Sequence, residues 1–391
     1  MGIAEELDLR QISRGFNLNE CAIYHDSNDP ETSLETHVDS ERLALSKRLA
    51  TRAKIYLDTN YWILLRNVKL GRVTEVKSIA LYELLRELVA SSKIVCPVSA
   101  SNLFEVLRQQ DIHTRITTAQ VMDDFSCGIG LRSHFDRATD DFVRAIYRIS
   151  NFEYANWRID FDYISHLLGF IPLLVDRSEL VVGSPLAYAK ASYDMGKFTT
   201  LEDMLPGLDA DSPETLSRLP SQESWVNEMN QYKSTLKGKN YNETQISEFL
   251  GGLKASLRRL NAAMMRTYQI DFGRYPTPTE SELVSGKLQL VLDQLCRLFA
   301  AKKLSTALLP QIHIQASIFA KVLTESTREV SKTDFDDVWH ATDALPSCQL
   351  FFTENYLCHL LTHPPTNLAR DFDATVVAKQ EDALAELKKL T

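Results

Sequence analysis

Four acidic residues stand where a carboxylate can do chemistry: Asp58, Glu105, Asp337 and Glu354. Asp58 ends the run Lys54-Ile55-Tyr56-Leu57 and is followed by Thr59-Asn60, then by the apolar, helically spaced Tyr61-Trp62-Ile63-Leu64-Leu65. A buried parallel strand feeding a helix has this pattern, so Asp58 is expected at the carboxyl end of a strand, the edge where open α/β sheets bind ligands. On that motif alone an N-cap is the simpler role, because Asp is a preferred cap. The other three acids shift the balance. Glu105 belongs to an expected helix, Asn102–Gln109, that follows a second strand, Lys93–Ser99. Asp337 lies in a helix opening at Thr333 before a third strand, Gln349–Thr353, and Glu354 comes just after that strand. Carboxylates gathered at one sheet edge raise one another's pKa unless a hard divalent cation such as magnesium or manganese neutralises them. A cation so held can activate water and stabilise phosphodiester oxyanions during in-line attack.

Their neighbours have quieter expected roles. Thr333 is expected to cap its helix with Asp336 as the capping partner, which leaves Asp337 as the ligand. His340, one turn on, is expected to pack and orient a carboxylate, and Asp343 to be a solvated helix charge. Asn60 either holds Asp58 or serves as an ordinary turn amide. Trp62 and Trp339 sit among apolar residues and are expected in the core rather than stacked on bases. Basic residues gather at Arg132, Arg137, Arg144 and Arg148 and at Lys254, Arg258, Arg259 and Arg266. Arg137, Arg144 and Arg148 share a face suited to a phosphate backbone, but the interleaved Asp136, Asp140 and Asp141 favour a solvated, salt-bridged surface.

The elements that must position the acids fall at the two ends of the chain. Residues 1–50 form a leader, with a loop at 27–33 and a helix expected after Ser40. Strand and helix alternate over 51–110 and again over 333–391, where a last strand, Ala374–Ala378, precedes an amphipathic closing helix. Between them, 111–332 shows mostly helical periodicity broken near 205–220 and 274–280, with only 172–183 strand-like. A sheet interrupted in sequence and continuous in space accounts for this order. Composition describes an ordinary globular chain: 391 residues, 44% apolar, 24% charged, net charge −9. A nucleic-acid partner would then need a local basic face or metal ions. No apolar run is long enough for a membrane span, the first residues lack a signal-peptide core, and Glu6 breaks the myristoylation pattern after Gly2, so a cytoplasmic, membrane-free protein is expected. Cys21, Cys96, Cys127, Cys296, Cys348 and Cys358 show no zinc spacing and are expected to be reduced thiols.

The segments YLDTNYW with Asp58, PVSASNLFEVLRQ with Glu105, DDVWHATDALPSCQLFFTEN with Asp337 and Glu354, and the closing DATVVAKQEDALAEL together resemble the PIN-domain nucleases. The resemblance covers roughly 50–110 and 333–390. It implies an α/β fold, a PIN-like parallel sheet flanked by helices, interrupted here by a large, mostly α-helical insertion at 111–332. It also implies that Asp58, Glu105, Asp337 and Glu354 are both the catalytic residues and the ligands of Mg2+ or Mn2+, and that the substrate is single-stranded or structured RNA, cut to leave 5′-phosphate and 3′-hydroxyl ends. Glu354 stands where the family more often has Asp. The connection between the second and third acids, short in the family, here exceeds two hundred residues. The insertion would select substrate, mask the site or make a homo-oligomer or a protein-regulator contact. The alternative is a non-catalytic PIN-like scaffold whose helical part binds a protein partner. A metal-dependent phosphohydrolase would want a second Asp two residues after its nucleophile, where this chain has Asn60.

Overall fold

The computed structural model describes residues 17–132, 137–138, 141–142, 145, 163–166, 184–205, 222–236, 238–271 and 287–391. Two helices come first, α1 (Leu18–Asn28) and α2 (Leu34–Leu49), followed by β1 (Ala53–Leu57), α3 (Thr59–Lys69), α4 (Val76–Ala90), β2 (Ile94–Val95), α5 (Ala100–Leu107) and α6 (Ile112–Ser126). A hairpin-like pair, β3 (Ile129–Leu131) and β4 (Ile164–His166), leads to α7 (Pro185–Met195), α8 (Leu201–Met204), α9 (Gln222–Thr235), α10 (Tyr241–Asp271), α11 (Lys287–Ala300) and α12 (Pro310–Thr324). The chain closes with α13 (Lys332–Ala344), β5 (Leu350–Phe352), α14 (Asn355–Thr362), α15 (Leu368–Asp371), β6 (Thr375–Val377) and α16 (Gln380–Lys388). The architecture is α/β and mostly helical around a small sheet.

That sheet has four strands in the order β2-β1-β5-β6, every pair parallel. β1 and β5 are adjacent in space although nearly three hundred residues separate them, so the two α/β ends of the chain build one sheet. Side chains alternate across it, as period-two geometry requires. Tyr56 and Phe351 face one core, with Val338 and Trp339 of α13 and Ile314, Ile318 and Val322 of α12. Ile55, Leu57, Leu350 and Phe352 face the other, with Trp62 and Leu65 of α3, Leu81 and Leu85 of α4 and Leu103 of α5. Both tryptophans, Trp62 and Trp339, are core residues. Strands buried on both faces read as continuous apolar runs, which is why they were legible in the sequence.

The cores cross the boundaries drawn from periodicity. From the segment 111–332, α6 contributes Ala119, Met122 and Phe125 to one core, and α12 supplies the other. α12 also reaches a separate helical cluster through Ile312 and Ala316, beside Phe249, Leu253, Leu292 and Leu295. At Gly252 of α10 a side-chain Cβ would lie 2.8 Å from Ile312 Cγ2, so the absence of a side chain there lets the two helices approach.

Several local expectations are corrected. Helical periodicity covered 155–171, yet Ile164–His166 forms an antiparallel strand with Ile129–Leu131, and Gly130 bridges to Val98 just past β2. Backbone pairing next to the sheet overrides a pattern that three residues are too few to set. Ser40 caps nothing: α2 runs through it from an N-cap at Ser33, and the Ser40 hydroxyl donates to Thr36 O at 2.9 Å. α13 is capped by Ser331 with Asp334 as its capping partner, not by Thr333 and Asp336. Of the strand-like run at 172–183 and of the side chains of Arg144, Arg148, Arg258, Arg259 and Arg266, nothing falls within the described residues.

Candidate active site

β1 ends at Leu57, and Asp58 both caps α3 and enters a network. Its Oδ1 accepts from Asn60 N at 2.7 Å and its Oδ2 from the Thr353 hydroxyl at 2.7 Å, while its own N–H donates to Phe352 O at 3.0 Å. The ends of the two central strands are thereby locked together. Asn60 contributes its backbone, with its side chain exposed.

α5 is aimed at the same edge. Ser99 and Asn102 form its capping box, and Asn102 Nδ2 donates to Leu57 O at 3.1 Å, one residue before Asp58. Glu105, one turn further, meets His340 of α13, with Oε1 3.3 Å from Nε2. The other ring nitrogen, Nδ1, lies 2.7 Å from Tyr56 OH, which is itself 2.7 Å from Ser99 Oγ. A chain of polar contacts therefore runs from the α5 cap through β1 to α13, fixing the imidazole. His340 is the orienting histidine expected from its spacing.

Asp337, one turn before His340, accepts no hydrogen bond from a described residue. Glu354 occupies the N-cap position of α14 without capping it, which leaves its exposed carboxylate free. The four acids thus sit at the carboxyl ends of β1 and β5 and on the two helices that flank them, and they interact electrostatically. Burial and then the Glu354 charge push Asp337 up to about 8. Burial raises Asp58 and the Glu105 charge adds to it, against His340, Thr353 and Asn60. Glu354 is raised by burial, Asp58 and Glu105. Glu105 alone is held below its usual range: burial opposes this, but the charge and hydrogen bond of His340 outweigh it. His340 in turn rises to about 9 because Glu105, Asp58 and Asp343 overcome its burial.

Four carboxylates share the imidazole of His340, with Arg108 acting on Glu105 as well, and a hard divalent cation corrects the remaining deficit of positive charge. The donor set fits magnesium or manganese: all oxygen, open on the Glu354 side, with Asp337 carrying a proton that a cation would displace. Among the described residues, the triads whose ligating atoms all lie within 4.8 Å of one another are found elsewhere, around Asp194. Asp58, Glu105, Asp337 and Glu354 do not form such a triad.

No known protein family matches the chain, and no curated protein or solved structure does either. The site therefore has to be read from its own residues.

Three neighbours depart from expectation. Asp343 is not a solvated charge: it is buried, accepts from the Ser101 hydroxyl at 2.7 Å and pairs with Arg137. Arg137, expected on a solvated face, is fully buried beneath the site and also reaches Asp343 O at 3.4 Å. Asp336 faces Arg108 of α5, with Nη1 3.2 Å from Oδ1, so it ties α13 to α5 rather than capping its own helix. Sequence reasoning missed Tyr56, Ser99 and Thr353 as positioning residues. The signal for Thr353 was its place directly before Glu354 at the strand end. Tyr56 had none, since its ring is a core residue like its neighbours.

Proposed function

We propose that this chain is a divalent-metal-dependent endoribonuclease whose sheet and flanking helices form a PIN-like nuclease domain carrying a helical insertion. The observation that carries the reading is the convergence of Asp58, Glu105, Asp337 and Glu354 at one strand edge, where His340 is the main group that offsets their charge. Asp58, Asp337 and Glu354 would hold Mg2+ or Mn2+, with Glu105 completing the ring. The cation would supply Lewis acidity toward a phosphodiester and a lowered pKa for water.

The protein's own groups do the positioning. Thr353 and Asn60 N fix both oxygens of Asp58, so its carboxylate cannot rotate away. His340 holds Glu105 ionised, and Tyr56 with Ser99 holds His340. Asp337 keeps its proton at neutral pH until a cation replaces it. Next to Glu354, a cleft of about 430 Å³ begins at Asn355 and is lined by His359, His363 and Lys379 and by one acid, Asp382. Lys379 and the two imidazoles give a nucleic-acid backbone hydrogen-bond donors beside the acids, in a chain whose overall charge would otherwise repel it. A cytoplasmic setting belongs to the same proposal; among the described residues no helix is long and apolar enough to cross a membrane.

The test is cleavage of labelled single-stranded RNA, structured RNA and single-stranded DNA with magnesium, manganese or EDTA, comparing the parent with Asp58→Asn. RNA cutting that needs the metal and disappears in the variant is expected. A folded parent as inert as the variant on every polymer would sink the reading and favour a scaffold role.

A further inference from the structure

A second cluster, independent of the acids, lies where the leader helices meet α7. Cys21 and His25 are one turn apart on α1 and therefore share a face. His37 comes from α2 and Asp194 from the last turn of α7. His25 Nε2 is 2.9 Å from Asp194 Oδ2 and His37 Nε2 is 2.9 Å from Oδ1, so two imidazoles address one carboxylate. Cys21 Sγ points at Asp194 Oδ2 from 4.0 Å. The two rings meet edge to face with centroids 4.9 Å apart. The His25 and His37 side chains are only 5% and 10% exposed, and Asp194 13%, so this is an interior arrangement and not a surface scatter of acids.

Hydrogen bonding alone does not account for these groups. Lys197 Nζ, shared with Glu41 at 2.7 Å, already lies 2.8 Å from Asp194 Oδ1, so the carboxylate has a cationic donor without either histidine. A thiol 4.0 Å from an oxygen is a poor hydrogen bond. His25 is 4% exposed, yet its Nδ1 has no hydrogen-bond partner among the described residues, an unusual cost for a buried polar atom. What the four residues do share is a donor set of one sulfur, two imidazole nitrogens and one carboxylate oxygen. That mixture suits a borderline-soft ion and is wrong for magnesium.

We infer that Cys21, His25, His37 and Asp194 form a structural zinc site that staples α1 and α2 to α7. Tetrahedral zinc with bonds near 2.1 to 2.3 Å sets its ligand atoms about 3.5 Å apart. Cys21, His25 and Asp194 already offer ligand atoms within 4.8 Å of one another, and His37, 2.9 Å from the other oxygen of Asp194, would swing in as the fourth ligand. On binding, the Cys21 thiol releases its proton to solvent and the two Nε2 atoms offer lone pairs, moving any ring proton to Nδ1. Thiolate and carboxylate balance the dication. Asp29, whose carboxylate lies within 4.8 Å of a ring nitrogen of each histidine, is placed to accept the outer N–H of His25, giving that buried nitrogen the partner it lacks. Lys197 keeps Glu41 and the outer oxygen of Asp194.

The experiment is titration of chelator-treated full-length protein with cobalt(II), followed by zinc(II). One equivalent of cobalt is expected to give tetrahedral ligand-field bands and a thiolate-to-cobalt charge-transfer band, both abolished by one equivalent of zinc. Cys21→Ser should lose the charge-transfer band, and His37→Asn should weaken zinc binding by about 100-fold or more, beyond the effect of losing an outer-shell partner. Asp58→Asn/Asp337→Asn should leave the charge-transfer band unchanged, because the acid edge offers only oxygen. A parent without a thiolate band, or a Cys21→Ser variant that keeps one, overturns the assignment. The parent spectrum decides the matter even if a variant fails to fold.

Discussion

The sheet edge and the Asp194 cluster both gather acidic groups, and they surround them with different partners. Asp194 is approached by His25, His37 and Lys197, and despite its burial those hydrogen bonds hold its pKa well below the usual carboxylate range. Asp337 has Glu354 and Asp58 as electrostatic neighbours and is raised to about 8. The contrast recurs within a single helix. On α13, Asp334 is met by Arg328 and by the Ser331 N–H and hydroxyl, and Asp343 by Arg137 and Ser101. Asp337 lies between them with no hydrogen-bond donor among the described residues. On α13 the chain itself supplies the donors of Asp334 and Asp343; where it leaves Asp337 short of donors, an external cation is the remaining source of charge.

The largest effect should come from turning a compensated carboxylate into an uncompensated one. Arg137 and Asp343 are both essentially excluded from solvent, so Arg137→Met removes the cation that faces a buried anion. A loss of about 3–5 kcal/mol is expected from the shift in urea midpoint. Arg137→Met/Asp343→Leu should recover most of it, because the stranded charge is then gone. If the single variant is as stable as the parent, the division between compensated and uncompensated acids fails at its clearest instance.

How far the sequence could show this division depends on chain separation. Asp58 and Glu354 were legible because each follows an apolar run that two-sided burial makes continuous. His340 was legible because helical spacing places it one turn from Asp337. Arg137 was not: its local sequence alternates acids and bases, as a solvated face does, and only the fold brings it to Asp343, 206 residues away. The cluster in the leader was hidden for the same reason. Cys21, His25 and His37 have no recognised ligand spacing among themselves, and Asp194 is 169 residues beyond His25. The strand β4 was hidden by helical periodicity around it, since three paired residues leave almost no pattern of their own.

A second effect, smaller and pH-dependent, comes from the acids themselves. Asp337 titrates at 3.8 when unperturbed and at about 8 here, so between those values the folded chain holds a proton that the unfolded chain has released. Its contribution therefore falls as the pH rises through that window. His340, raised from 6.5 to about 9, adds stability that is fully present below pH 6.5 and is lost as the pH rises through 9. Both groups make the metal-free protein less stable in alkali. Asp337→Asn should stabilise it at pH 8 by on the order of 2 kcal/mol, allowing for solvent screening of a half-buried group, and should flatten the slope between pH 5 and 8. Manganese should raise the parent's melting temperature most at high pH and the variant's much less. An unchanged slope in Asp337→Asn would show that Asp337 is not the strained member of the edge.

The finest discrimination is between adjacent residues. Asp336 and Asp337 differ by one position on α13, and sequence alone could have assigned either to the metal. Asp336 is paired with Arg108 on a partly exposed face, and exposed pairs of this kind contribute about 1 kcal/mol or less. Asp336→Ala should therefore cost no more than that in stability and leave nuclease turnover within a few-fold of the parent. Asp337→Asn, despite its gain in metal-free stability, should lower turnover by about 100-fold or more, since it removes an oxygen from the ion. A reversal of the two would move the ligand by one residue. It would also require α13 to be rotated by about 100° relative to β1, which the contacts of His340 with Tyr56 and Glu105 on the same helix do not allow.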